Sequence, residues 1–129
     1  MDFQIGILPP GRDRSAARAW LEPALAYGDG ADWSEVAADL DRDHAQLWEV
    51  RGGDRCLAAA VTRLCADGAA EFWLCGGTGM ADWLSPLIDI VSRWARDEGK
   101  SRLRLIGRRG WKRALPGWTE RGVILEHAL

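Results

Sequence analysis

Glu71-Phe72-Trp73-Leu74-Cys75-Gly76-Gly77-Thr78-Gly79-Met80 is the stretch whose reading decides the fold. Its first half is aromatic and apolar, as a buried strand requires, and its second half is broken by glycine. Beyond it, Trp83, Leu84, Leu87, Ile88, Val91, Trp94 and Ala95 recur at three and four, an apolar stripe wide enough to pack on a sheet. Gly99 supplies a helix stop, and Ser101 to Ile106 alternates Leu103 and Leu105 against Arg102 and Arg104 as another strand. Strand, glycine turn, helix and strand predict a right-handed crossover between parallel strands. The same layout aims backbone N–H groups and the positive end of a helix at one point, where a phosphate can sit. The helix start has two readings. Asp82 as cap keeps its end beside Gly79, whereas Ser85-Pro86 as cap and first residue moves it a turn away.

Upstream, the first eight residues read as a strand stopped by Pro9-Pro10-Gly11. Ala17, Trp20, Leu21 and Ala24 follow a helical period, capped by Asp13 or Ser15, and Pro23 kinks or restarts the helix. Asp32-Trp33-Ser34-Glu35 is a capping box opening a short helix with Trp33, Val36, Ala37 and Leu40 on one face. Ala45 to Arg51, Cys56 to Leu64 and Glu71 to Cys75 then form an antiparallel meander. Its turns are Arg51-Gly52-Gly53-Asp54 and Ala66-Asp67-Gly68. Downstream lie a basic turn, Gly107-Arg108-Arg109-Gly110-Trp111, a short helix to Leu115, and a final strand from Gly122 to Leu129. The expectation is an α+β fold of α/β type, a single domain over residues 1–129. A central mixed sheet contains the three-strand antiparallel meander and one βαβ crossover, with helices on both faces.

With 47% hydrophobic and 28% charged residues and a net charge of −2, the composition is that of a globular protein. The global field gives no reason to expect nucleic acid or a membrane surface as partner, and no apolar run reaches the length of a membrane helix. The start Met1-Asp2-Phe3-Gln4-Ile5 has neither a basic beginning nor an apolar signal core, so a cytoplasmic location is expected. Cys56, Cys65 and Cys75 lack metal-ligand spacing and stand far from His44 and His127, so no metal is expected and the cysteines read as small buried hydrophobes. Eight tryptophans against one tyrosine and two phenylalanines exceed what a small core needs, which suggests one or two on a contact surface.

This order of elements resembles the GNAT superfamily of acyl-CoA-dependent N-acyltransferases over nearly the whole chain. The carboxyl half resembles small GNAT-like proteins encoded by tailed bacteriophages, through Gly76-Gly77, Trp94-Ala95-Arg96 and Gly107-Arg108-Arg109-Gly110-Trp111. The resemblance implies a split between the two parallel strands that holds the arm of acetyl-CoA. The pyrophosphate would lie on Gly76, Gly77, Thr78, Gly79 and Met80. The family's arginine or glutamine ahead of the glycines is missing here, and the short helix carries Trp111 in place of a tyrosine; the only tyrosine is Tyr27. Glu71 is the candidate base. Arg108, Arg109 and Trp111 are candidate contacts for a phosphate or a protein partner.

Two functions follow from the resemblance. One is a scaffold without catalysis or cofactor, acting through protein partners as a virion component (head, neck or tail) or as an adaptor for a host protein, located in the virion if phage-encoded. The other is an active N-acetyltransferase that uses acetyl-CoA on an amine. A domain that senses a CoA-like metabolite stands between them.

Overall fold

The computed structural model describes residues 2–27, 30–106, 115, 117–121 and 124–129. The elements are β1 (Gln4–Leu8), α1 (Ser15–Leu21), a 3₁₀ segment (Glu22–Tyr27), α2 (Trp33–Asp41), β2 (Gln46–Gly52), β3 (Arg55–Leu64), β4 (Ala69–Gly77), α3 (Met80–Asp97), β5 (Arg102–Ile106), β6 (Thr119–Arg121) and β7 (Ile124–Ala128). They build a seven-stranded sheet in the order β1-β2-β3-β4-β5-β7-β6. All neighbours are antiparallel except β4 and β5, which run parallel with α3 crossing between them.

Local chemistry explains most of the boundaries. Asp13 Oδ1 accepts from the Ser15 N–H at 2.9 Å and holds the start of α1. Helix α1 ends just before Pro23, whose fixed φ and missing N–H suit the 3₁₀ segment that follows. Asp32 Oδ1 accepts from the Glu35 N–H at 3.0 Å, the predicted cap of α2. Gly53, at φ 60°, makes the two-residue turn between β2 and β3. Strand β6 was not expected. Thr119-Glu120-Arg121 has no apolar alternation and pairs only with β7 at the edge of the sheet, so its sequence carries no strand signal.

The sheet separates two cores. Helix α3 covers one face through Trp83, Leu87, Val91 and Ala95, packed on Val50, Ala60, Phe72 and Leu103. Helices α1 and α2 cover the other through Ala17, Leu21, Val36 and Leu40, packed on Leu47, Ala59, Val61 and Trp73. Of the eight tryptophans all but Trp111 are described, and none of these is exposed. Each of three indole N–H groups has an internal acceptor: the Cys56 carbonyl for Trp20, Thr62 Oγ1 for Trp48 and the Thr78 carbonyl for Trp83. The seven described tryptophans therefore pack on the two cores, and Trp111 lies outside the described residues. Among the described residues no helix is long and apolar enough to cross a membrane.

Candidate functional site

The site begins at the end of β4. Pairing with β3 shifts register between Val61–Leu74 and Thr62–Phe72, which leaves Trp73 as the extra residue of a β-bulge. Parallel pairing with β5 runs from Ala69–Arg102 to Phe72–Leu105 and, among the described residues, stops there. Trp73, the bulged residue, thus stands just beyond the last parallel rung described. The Thr78 N–H donates to the Leu57 carbonyl at 2.9 Å. Alternation along an antiparallel ladder then turns the N–H groups of Cys75 and Gly77 away from β3, toward the side on which β5 pairs lower down.

Helix α3 starts at Met80, earlier than either sequence reading placed it, so Pro86 lies inside the helix and Ser85 is not its cap. Gly79 is the N-cap residue in the left-handed conformation (φ 70°, ψ 36°), with no side chain closing the end. A residue that reaches this conformation without strain can start a helix without a capping side chain, which is why a search for Asp or Ser missed it. Among the described residues no acceptor meets the N–H groups of Gly79, Met80 or Ala81. Asp82 does have a bond, from its N–H to the Gly79 carbonyl at 2.9 Å.

The five residues expected to hold a pyrophosphate fall into different roles. The Thr78 backbone is fully engaged, its N–H with Leu57 and its carbonyl with the Trp83 indole at 2.6 Å. Gly76 and Gly77 are glycines for a packing reason. A Cβ on Gly76 would strike the Trp20 carbonyl, and one on Gly77 would overlap Ala58. What remains for a ligand is the Gly77 N–H, turned away from β3, and the Gly79 and Met80 N–H groups at the helix end. The Cys75 and Ala81 N–H groups join them, and sequence reasoning missed both.

Beside this helix end lies a cavity of about 500 Å³, whose wall includes Met80, Leu84, Ile88, Leu115, Trp118 and His127. The exposed His127 ring stacks on Trp118, with centroids 5.5 Å apart and planes at 17°. Apart from His127 and Ser85 the described lining is apolar. The only acidic residue in the first turn of α3 is Asp82, with a carboxylate oxygen 3.8 Å from where a Gly79 Cβ would stand. That negative charge competes with an anion for the helix end. Cys75, partly buried on the α3 face, has its thiol pushed up to about 12 by burial, so it is neutral.

Glu71 lies below the split on β4, opposite Arg104 of β5. It is buried, and its Oε2 accepts from Arg63 Nε at 2.5 Å. Arg108, Arg109 and Trp111 lie outside the described residues, as does most of the expected short helix. His44 is exposed in the turn after α2, away from the split. Among the described residues no group of His, Cys, Asp or Glu is arranged to hold a metal ion.

This mixed sheet, with parallel β4 and β5 joined by α3, a bulge in β4 and the α3 N-terminus just after it, has the GNAT acetyltransferase fold. Among solved structures, N-acetylglutamate synthase from Neisseria gonorrhoeae, solved with coenzyme A and N-acetyl-glutamate, matches with a TM-score of 0.76 and 14% identity, over 100% of this chain and 35% of that one. The ribosomal-protein-S18-alanine N-acetyltransferase from Escherichia coli matches with a TM-score of 0.71 and 14% identity, over 98% of this chain and 94% of that one. A GNAT family acetyltransferase from Elizabethkingia anophelis with acetyl-CoA bound matches with a TM-score of 0.65 and 11% identity, over 98% of each chain. No protein-family profile and no curated protein matches the sequence. At these identities the likeness is one of fold, and it lends no support to the narrower resemblance to bacteriophage proteins.

Proposed function

We propose that this chain binds acetyl-CoA in the split between β4 and β5 and directs transfer of the acetyl group to an amine. The observation that carries this reading is the coincidence, at one end of the sheet, of three features. These are the bulge in β4 just beyond its last described rung with β5, the uncapped start of α3 and the cavity of about 500 Å³ beside that start. Solved relatives in fold include complexes with coenzyme A and acetyl-CoA, which supports the choice of ligand.

The residues present fit such a ligand. The Cys75 and Gly77 N–H groups can bond the amide-bearing arm as a neighbouring strand would. The Gly79, Met80 and Ala81 N–H groups, with the positive end of α3 behind them, can receive a pyrophosphate. Leu84, Ile88 and Trp118 offer the apolar wall that keeps water from the arm. Bound there, acetyl-CoA supplies a thioester whose acyl carbon an amine can attack. Asp82, and the lack of a basic residue among Gly77 to Asp82, make the grip on the phosphates weaker than a charged site would give.

The scaffold reading drew on a tryptophan contact surface, which the described tryptophans, all packed on the two cores, do not supply; Trp111, named as a contact, lies outside the described residues. The test is calorimetric titration with acetyl-CoA, followed by detection of free thiol when peptide or small amines are added. Saturable heat and amine-dependent thiol release support the proposal. No heat at millimolar ligand would remove it.

A further inference from the structure

We propose that the ion-pair chain Arg63–Glu71–Arg104 fixes the Trp73 bulge of β4 above the last described rung with β5. Glu71 is then a positioning residue for the split, and not the group that takes a proton from the amine. This rests on the reading of the split as the ligand site.

The register places the chain at a decisive height. Glu71–Arg104 is the last but one parallel rung, and Phe72–Leu105 is the last. Below the split Glu71 Oε1 lies 3.8 Å from Arg104, and Arg104 reaches on to Glu126 of β7 at 3.2 Å and to Asp67 in the turn before β4. These contacts join β4, β5 and β7 on one row of the sheet. Glu71 Oε2 also holds Arg63 of β3 at 2.5 Å, and the Arg63 guanidinium lies 4.0 Å over the ring of Trp73. Trp73 is the bulged residue. One carboxylate therefore ties the closed rung below to the bulge above, with one oxygen on each guanidinium.

The burial agrees with this role. The Glu71 side chain is 6% exposed and that of Arg104 is 17% exposed. Each carboxylate oxygen faces a guanidinium, Oε2 that of Arg63 and Oε1 that of Arg104. Removing the Glu71 charge should loosen the rung and the bulge together.

Glu71→Gln, with Arg104→Lys as a milder second variant, tests the proposal by two readouts. In the ligand-free protein, hydrogen exchange of the Leu74–Gly77 amides should speed up by about tenfold or more, while amides in the middle of α3 keep their wild-type rates. In the acyl-transfer assay, the acetyl-CoA KM should rise while the pH profile of kcat keeps its shape. The proposal is overturned if exchange and KM stay at wild-type values while kcat falls by about 10²–10⁴ and loses its pH dependence, the mark of a lost general base. Uniform acceleration of exchange throughout the protein would also overturn it. If Glu71→Gln does not fold, the same exchange comparison on Arg104→Lys decides. A wild-type protein that binds no acetyl-CoA contradicts the proposed function, yet the exchange result still decides the role of Glu71.

Discussion

The Trp83 indole N–H donates to the Thr78 carbonyl at 2.6 Å, so a buried side chain from the first turn of α3 fastens the helix to the end of β4. The helix end and the open strand edge are therefore held as one rigid corner. A ligand that touches both meets groups already in place, which lowers the ordering cost of binding.

Trp83→Phe keeps most of the ring and removes the donor. It leaves the Thr78 carbonyl without its partner at a cost of about 1–3 kcal/mol. Urea denaturation should show that loss, and acetyl-CoA affinity should fall several-fold because the corner is no longer fixed. Unchanged affinity at reduced stability would mean that the corner does not form the site.

Alanine at the three glycines should separate packing from conformation. Gly76→Ala and Gly77→Ala force backbone or neighbouring atoms to move and should each destabilise by about 1–3 kcal/mol, as overpacking does. Gly79→Ala makes only an ordinary contact with Asp82, at 3.8 Å, but must hold φ at 70°, which costs about 1–2 kcal/mol. Thermal melts order the three; the affinity of Gly79→Ala for acetyl-CoA reports whether the helix end has shifted.

Asp82→Asn removes the negative charge beside the helix end. Acetyl-CoA affinity should rise by about two- to tenfold, the range expected of one charge near a helix terminus. Titration calorimetry at low salt gives the comparison, and the gain should shrink as salt is added. A loss of affinity would place the phosphates elsewhere.

Acid should weaken the ion-pair row. The hydrogen bond from Arg104 holds the Asp67 carboxyl below its ordinary value of 3.8. A depressed folded-state value means stability that is present above pH 3.8 and is lost as pH falls through the lower, folded-state value. Denaturation midpoints of wild type and Asp67→Asn should therefore differ at neutral pH and converge in strong acid. A constant difference across that range would contradict the pairing.

The elements legible in the sequence are those set by local chemistry. Asp32 with Glu35, Gly53 in its hairpin and Gly99 after α3 each act within a few residues, so their consequences could be read directly. The site was less legible because its causes are distant in sequence. Gly76 and Gly77 look like a phosphate turn until Trp20 and Ala58 come into contact with them. The Trp73 bulge leaves no trace, since Phe72, Trp73 and Leu74 are apolar whichever face they take. Glu71 resembles a base by position on the strand, and only the fold brings Arg63 and Arg104 onto it.

Hydrogen exchange of the wild-type protein with and without saturating acetyl-CoA tests the central claim most directly. Slowed exchange at Cys75, Gly77 and Gly79 to Ala81, with little change in β1 and β2, is the predicted result. Exchange at those five amides that is the same with and without the ligand would contradict it.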